Sequence, residues 1–291
     1  MSLPPSLDDI DALAKLYPHS PKHFHVVRPQ IEQRSQLVKT WGIQPGERVL
    51  EIGCGQGDCT LVLAAAVGEN GSVTAIDPAS LDYGSPFTLG QAQAHLRTSS
   101  LGSRMTFVQA DPIGFLRNTT ERYTTAVMAQ CIWYFASPQV FADIMAALRS
   151  RVDRICISEY SLVASDYRAF PHVLATFAQA SLECRKQTSN SNVRTVMSPE
   201  RLKESIKAAG LTVRDETILR VPDGMLDGTW EVNWVLSPAF LEEVGGAVQD
   251  EKEKSVVFAA RDSVLGAKRM LEERGERVGT MDVWVATVVF E

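Results

Sequence analysis

The chain has no run of 18 or more apolar residues, and no run of Lys or Arg exceeds two residues. The first absence argues against a membrane-spanning helix. The second argues against the clustered basic face that nucleic-acid binding requires. With a formal net charge of −6, we expect neither a nucleic-acid nor a membrane partner, and the oligomeric state stays open.

Cysteine pairs with the spacing of a metal or redox motif are also absent. The five cysteines are an odd number without any C-x-x-C pair, as in proteins that keep reduced thiols. The first twenty residues have neither the cationic start nor the apolar stretch of a secretory signal. We therefore expect a cytoplasmic protein, and 291 residues suffice for a sizeable core without disulfides.

Short apolar segments alternate with helical ones from residue 48 onward. Strands are predicted at 48–52, 72–76, 105–109, 125–129 and 154–158. Helices are predicted at 58–67, 89–99 and 140–149. Alternating elements of these lengths indicate right-handed crossovers and a buried parallel sheet. The predicted fold is α/β, with a doubly wound, mostly parallel sheet.

The flanking segments predict helical additions to a single domain. A first helix is expected from Ser6, as N-cap, to Tyr17, and a second from Pro29 to Trp41. Later segments predict a long helix at 167–185, a helix from Pro199 to Gly210, a sixth strand at 211–221 and a charged helix at 250–274. The predicted division is a cap (1–44), a core (45–222), an insertion (223–280) and a last strand (281–291).

The segment VLEIGCGQGDCT, residues 49–60, carries a glycine-rich loop after a predicted strand. Gly53 and Gly55 match the first two glycines of the dinucleotide fingerprint G-x-G-x-x-G, but Asp58 occupies the third position. Glu51 and Asp58 flank the loop, where a pyrophosphate needs the positive end of a helix and bare backbone N–H groups. An NAD(P)-dependent oxidoreductase is therefore the second-ranked interpretation.

Acidic residues follow three successive predicted strands: Glu51, Asp77 and Asp111. Ligands of open α/β sheets bind at the carboxyl ends of the strands. An acid-lined crevice suits S-adenosylmethionine, which carries a sulfonium, an ammonium and a ribose diol but no phosphate. Asp77 is expected to accept from the ribose hydroxyls, Asp111 from the adenine amino group, and Glu51 to lie near the methionine moiety.

Residues 51–57, EIGCGQG, resemble the E/D-x-G-x-G-x-G motif of class I S-adenosylmethionine-dependent methyltransferases, and Asp77 and Asp111 match later cofactor positions of that family. The resemblance covers residues 45–222 and is greatest to small-molecule enzymes of the ubiquinone-biosynthesis type and their relatives in secondary metabolism. It departs from the family in the long 77–89 connection and in the insertion. The cofactor-binding set is expected to be Arg28, Glu51, Gly53, Cys54, Gly55, Asp77, Pro78, Asp111, Pro112 and Gln130.

The resemblance implies a Rossmann-like, seven-stranded sheet with an antiparallel last strand. It also implies methyl transfer from S-adenosyl-L-methionine to a small, aromatic or apolar O-, N- or S-nucleophile by in-line displacement. A non-catalytic methyltransferase-like binding module is the alternative outside the enzymes. The chemistry depends mainly on proximity and orientation, although a hydroxyl or thiol acceptor can need a general base.

Three of the five histidines lie within residues 19–25, ahead of the core. One interpretation folds this segment over the crevice, with His23 or His25 as the base and Arg28 holding the methionine carboxylate. A metal site would lack a fourth nearby ligand, so no metal is expected. A turn with solvated histidines is the remaining alternative.

Further candidates follow the fourth and fifth strands. Tyr134 is predicted to line the acceptor pocket, and Glu159 is a possible base, with a structural hydrogen bond as its alternative role. Trp230 and Trp234 are four residues apart, so they share one face if helical. The insertion is thus predicted to form part of the acceptor pocket, with packing in a core as the alternative.

Overall fold

One seven-stranded sheet organises residues 4–290, which are the residues that the computed structural model describes. The strands are β1 (Arg48–Ile52), β2 (Ser72–Asp77), β3 (Met105–Gln109), β4 (Tyr123–Ala129), β5 (Val152–Tyr160), β6 (Leu211–Leu219) and β7 (Val283–Phe290). Their spatial order is β3-β2-β1-β4-β5-β7-β6. Strands β1 to β5 pair in parallel, and β7 is antiparallel to both of its neighbours. The predicted doubly wound, mostly parallel sheet is confirmed.

Helices cover both faces and one end of this sheet. In chain order they are α1 (Ile10–Leu16), α2 (Phe24–Trp41), α3 (Asp58–Ala66), α4 (Leu89–Arg97), α5 (Pro112–Asn118), α6 (Pro138–Leu148), α7 (Phe170–Glu183), α8 (Pro199–Ala208), α9 (Asp227–Val235), α10 (Pro238–Ala247) and α11 (Glu251–Glu272). Residues 1–3 of the predicted cap and residue 291 of the predicted last strand lie outside the described residues.

Successive residues of β1 belong to different hydrophobic clusters. Val49 packs in a cluster with residues of α1, α2 and α3, whereas Leu50 belongs to the cluster that contains residues of α6 and α8. Because side chains of a strand point alternately to opposite faces, helices cover the sheet on both sides. A third cluster joins α7, α9, α10 and α11, so the insertion has a hydrophobic core of its own beside the sheet.

The N-terminal helices begin at residues other than those predicted. Asp9, not Ser6, is the N-cap of α1, since its side chain accepts from the Ala12 N–H at 3.0 Å. Helix α2 begins at Phe24, five residues before Pro29. Pro29 costs the helix one backbone hydrogen bond. It is buried, and a Cβ built on Gly224 would lie 3.1 Å from its ring, so tertiary packing outweighs the preference of Pro for the first helical position.

Helices α5 and α10 were not predicted, and α9 was considered only as a possibility. Helix α5 has seven residues, too few for a periodic pattern to stand out. Helix α10 contains Gly245 and Gly246, which lower helix propensity, but it is capped by Ser237 and buries Phe240 and Val244. Burial of an apolar face therefore decides these segments more than local propensity does.

The strand order reverses direction between β1 and β4, and both strands end at the same edge of the sheet. In open α/β sheets this crevice is where ligands bind. Within residues 4–290, no helix combines the length and the apolar character needed to cross a membrane.

Candidate functional site

The glycine loop leaves the end of β1 in a conformation that side chains disfavour. Gly53 has φ +76°, and its N–H and that of Cys54 donate to the Ile76 carbonyl at 2.8 and 3.2 Å. A Cβ built on Gly53 would lie 2.5 Å from the Cβ of Cys131, which follows β4. Gly53 is thus required both by its backbone conformation and by the close approach of the β4 end.

Gly55 has the same left-handed backbone but a different surrounding. Its φ is +50°, and a Cβ built there would meet no atom within 4 Å. Its N–H donates to Asp77 Oδ2 at 2.8 Å, while Asp77 Oδ1 accepts from the Ala79 N–H at 2.9 Å. The two carboxylate oxygens of Asp77 offer about four lone-pair sites, so acceptor capacity remains beside the open space at Gly55.

Glu51, at the end of β1, was expected to line an acidic crevice, but its side chain is buried. Glu51 is 1% exposed and accepts a hydrogen bond from the Thr60 hydroxyl of α3. Burial raises the pKa of Glu51 to about 8, although Thr60 opposes that rise. At neutral pH the carboxyl is therefore largely protonated in this structure.

Asp111 and Pro112 begin α5 after β3. Asp111 is exposed, and its Oδ2 accepts from the Gly114 N–H at 2.6 Å as the helix N-cap, while Pro112 is buried. The Ala110 N–H donates to the Asp77 carbonyl at 3.0 Å, so the ends of β2 and β3 are adjacent. A cavity of about 460 Å³ lies beside Asp111 and the first turns of α5.

Helix α2 reaches the same edge through Arg34, which the sequence analysis did not single out. Arg34 Nε donates to Asp58 Oδ2 at 2.8 Å, and another of its nitrogens donates to the Gln130 side chain. Gln130 follows β4 with φ +52°, an uncommon conformation for a residue with a Cβ. Burial favours the neutral form of Arg34, but the carboxylate of Asp58 outweighs it and raises the pKa. An ion pair therefore joins α2 to the glycine loop.

The residues predicted from the histidine-rich segment lie elsewhere on α2. Arg28 donates to Asp11 at 2.8 Å and to Glu32 at 2.7 Å, and its side chain is 42% exposed. His25 is exposed in the first turn of α2, without a side-chain hydrogen bond in the described part of the chain. Six residues separate Arg28 from Arg34, so the two side chains leave the helix in different directions.

Glu159, at the end of β5, holds the backbone that follows β4. Its Oε2 accepts from the N–H groups of Ile132 and Trp133 at 2.9 and 3.2 Å, and its Oε1 accepts from the Tyr160 N–H at 2.9 Å. Burial raises the pKa of Glu159 to about 7, although these three N–H groups oppose the rise. Three of the four or so acceptor sites of this carboxylate are thus taken by backbone donors, an arrangement that supports the hydrogen-bonding role more than that of a base.

Tyr134 ends the short helical turn Ile132–Tyr134 and is 45% exposed. Charges of Glu231 and Asp227, both on α9, act on its phenol, as does that of Glu159. The segment after α7 is attached to the same turn, because the Arg194 and Thr195 N–H groups donate to the Trp133 carbonyl. Tyr134 therefore lies where the carboxyl end of β4 meets the insertion.

The insertion and the segment after α7 enclose a cavity of about 650 Å³. Trp230, Glu231 and Trp234 line it from α9, together with Gln179 of α7, the polar segment 188–192 and the ion pair of Lys186 with Glu243 of α10. Burial raises the pKa of Glu231, and the hydrogen bond from Gln179 opposes that rise. The cavity thus combines two indole rings with a carboxyl group, Glu231, and a lysine whose charge is already paired.

Two hydrogen bonds bring the cavity and the sheet edge together. The Tyr83 hydroxyl, from the connection after β2, donates to Asn192 at 2.7 Å. The Tyr160 hydroxyl, at the end of β5, donates to Asp227 Oδ1 at 2.9 Å. In residues 4–290 no group of three or more His, Cys, Asp and Glu side chains is arranged to hold a metal ion.

The chain is similar to known methyltransferases. A model of the methyltransferase domain matches residues 49–151. Methyltransferase phomM' of Diaporthe leptostromiformis is 28% identical over 334 aligned positions, covering 93% of this chain and 86% of that protein. Demethylmenaquinone methyltransferase of Staphylococcus aureus is 43% identical over 44 residues, 15% of this chain and 18% of that protein.

A solved structure matches almost the whole chain. The cyclopropane-fatty-acyl-phospholipid synthase-like protein from Lactobacillus casei has a TM-score of 0.84 and 27% identity, over 97% of this chain and 98% of that one. The cap and the insertion are therefore shared with that structure, whereas the quinone-type likeness is confined to a short stretch.

Alanine at Gly53 should mainly lower stability, whereas alanine at Gly55 should mainly weaken ligand binding. We expect Gly53→Ala to lower the free energy of unfolding by about 2–5 kcal/mol, since backbone strain adds to the contact with Cys131. Gly55→Ala should lower the free energy of unfolding by only about 1–2 kcal/mol, because backbone strain is its only cost. Its methyl group fills the open space, so S-adenosylhomocysteine should bind at least tenfold more weakly in calorimetry.

Gly46→Ala is the matched control for both variants, because Gly46 has φ +89° and a Cβ there meets nothing within 4 Å. It lies outside the loop and should leave ligand affinity unchanged. Equal affinities of Gly55→Ala and Gly46→Ala would show that the space at Gly55 is not used by the ligand.

The buried Glu51 should make stability depend on pH. Its pKa rises from an ordinary 4.5 to about 8 on folding, so its contribution is fully present below pH 4.5 and is lost as pH rises through 8. The loss is up to about 1.4 kcal/mol per pH unit. We expect Glu51→Gln to flatten the fall in unfolding free energy between pH 5 and 8, measured by urea denaturation. The variant of exposed Glu69, Glu69→Gln, should retain the wild-type slope, and an unchanged slope for Glu51→Gln would contradict the assignment.

Proposed function

We propose that this chain, a class I S-adenosyl-L-methionine-dependent methyltransferase, methylates a small organic amine that binds in the cavity lined by Trp230, Glu231 and Trp234, whose lining does not include Tyr134. The similarity to known methyltransferases confirms the enzyme class and the cosubstrate that the glycine loop and the strand-end acids predicted. The same findings favour a methyltransferase over the NAD(P)-dependent oxidoreductase and over a non-catalytic module. The following observations support the proposed positions of the cofactor and of the amine acceptor.

The open side of the glycine loop supports a cofactor position along the ends of β1, β2 and β3. Gly53, Cys54 and Gly55 supply a floor without an obstructing Cβ at Gly55, and Asp77 keeps unused acceptor sites next to it. S-adenosylmethionine supplies a methyl group activated by its sulfonium. Asp77 and Pro78 would hold the ribose, and Asp111 and Pro112 the adenine, beside the cavity at α5.

Near β4, Arg34 replaces Arg28 in the proposed set, and Gln130 stays in it. Arg34 is 15% exposed and points to Asp58 and Gln130, whereas Arg28 is paired with two acids on the surface. A guanidinium at this position can bind the methionine carboxylate. Glu51 would support the loop from below, through Thr60 and α3.

The acceptor cavity carries the amine proposal. Trp230 and Trp234 offer flat apolar surfaces, and an indole face also attracts a cation. Glu231 is buried enough for its pKa to rise, and a cationic group nearby would reverse that rise, because an opposite charge favours the ionised form. The proposed acceptor is thus amphipathic, with an apolar or aromatic body and an amino group. Of the predicted O-, N- and S-nucleophiles, the proposal therefore selects nitrogen.

Removal of the Asp77 carboxylate should weaken cofactor binding. Asp77→Ala loses hydrogen bonds of the charge-assisted kind, so we expect the dissociation constant of S-adenosylhomocysteine to rise about tenfold to a hundredfold. Titration calorimetry measures this directly. Asp82→Ala, in the exposed connection after β2, is the control and should bind as the wild type does; an unchanged affinity of Asp77→Ala would refute the ribose assignment.

A panel of arylalkyl amines, phenols and thiols, assayed by release of S-adenosylhomocysteine, tests the acceptor class. We expect amines to be methylated. Glu231→Gln should raise their KM about tenfold to a hundredfold, because the variant loses a hydrogen bond between charged groups. Glu242→Gln, on α10 outside the cavity, should behave as the wild type. Methylation of phenols or thiols but of no amine would exclude the proposed acceptor.

A further inference from the structure

Asp227 has one carboxylate oxygen that nothing in the described residues satisfies. Its Oδ1 accepts the Tyr160 hydroxyl at 2.9 Å, while its Oδ2 is buried and has no hydrogen-bond partner among residues 4–290. A buried carboxylate oxygen without a donor is costly. Native structures retain such a group mainly where a ligand or a water completes it.

The position of Asp227 connects the two halves of the candidate site. On one side, its partner Tyr160 ends β5, directly beside the end of β4. On the other side, Asp227 is the first residue of α9, and the cavity residues Trp230 and Glu231 follow three and four positions later on the same helix face. Asp227 therefore connects the edge of the sheet with the acceptor cavity.

We infer that Asp227 is a catalytic residue whose Oδ2 accepts the proton of the acceptor's nucleophilic nitrogen, with Tyr160 as the residue that positions it. The inference rests on the proposed function. Asp227 Oδ2 first takes a proton from the bound ammonium group, which frees the lone pair of the nitrogen. The nitrogen then forms its bond to the methyl carbon, and the carbon–sulfur bond breaks with its electron pair left on sulfur as a thioether. The product leaves as a methylated ammonium ion, and solvent removes the proton from Asp227.

The surroundings of Asp227 determine the pH at which it can act. Burial raises the pKa of Asp227, and the hydrogen bond from Tyr160 and the charge of Arg34 oppose that rise. The titratable and charged groups that face it come from five elements: Arg34 of α2, Asp58 of α3, Tyr134 after β4, Tyr160 of β5 and Glu231 of α9. Because the base must be ionised, activity should fall on the acidic side of the profile.

The Asp227→Asn variant keeps the size of the side chain but cannot take a proton. We expect kcat with the preferred amine to fall at least a hundredfold, within the range of general-base catalysis. The acidic limb of the pH profile should disappear. Affinity for S-adenosylhomocysteine and the unfolding temperature should stay within error of the wild type. Asp223→Asn, an exposed acid four residues earlier in the same segment, is the matched control and should retain full activity.

Tyr160→Phe keeps the inference testable if Asp227→Asn fails to fold. Loss of the phenolic donor should raise the pKa of Asp227 and move the acidic limb to higher pH, a change that a purely structural role would not produce. An active wild type whose kcat and pH profile are unaltered by both variants would overturn the inference alone. A wild type that methylates no amine would overturn the proposed function and this inference with it.

Discussion

The close contact between Gly53 and Cys131 is the constraint from which the site follows. β1 and β4 are neighbours with parallel direction, and the chain after each strand must turn away at the same edge. Cys131 Sγ donates to the Ile52 carbonyl at 3.1 Å, so the two strand ends are tied together. Because residue 53 is a glycine, the loop can pass close to Cys131, and α3 then begins at Asp58, within reach of Arg34. A side chain at position 53 would separate the ends of β1 and β4 and would move the glycine loop, the start of α3 and the ion pair of Asp58 with Arg34.

The acids at the strand ends divide into two kinds by burial. Glu51 and Glu159 are each 1% exposed, have raised pKa values and hold their neighbours through Thr60 or through backbone N–H groups. Asp77 and Asp111 are not buried and cap backbone turns with acceptor sites to spare. Asp77 and Asp111 are therefore the acids that can offer charge to a ligand, whereas Glu51 and Glu159 stabilise the loops at the strand ends.

The cap and the insertion supply the groups that the core lacks. Helix α2 brings Arg34 to the end of β4, and α9 brings Asp227 and the indole rings to the end of β5. Both helices are fixed by apolar packing: α2 through Ile31 and Leu37 in the cluster beside β1, and α9 through Val232 and Val235 in the insertion's own core. Polar groups can thus remain in strained or unpaired states because apolar burial holds their backbones.

The local pattern of the sequence determined the strands, the glycine loop and the cofactor class. Continuous apolar runs bounded by loop residues are read from neighbouring letters alone, and Arg48–Ile52 and Met105–Gln109 match the prediction residue for residue. Only the tertiary structure showed that Arg34 reaches Asp58 and Gln130, whereas Arg28, six residues or roughly 240° of helix rotation away, pairs with Asp11 and Glu32. It also decided that Asp227, 67 residues from Tyr160 in the chain, meets it in space. Such pairings depend on how whole helices pack, and packing energy is spread over many apolar contacts that no short motif records.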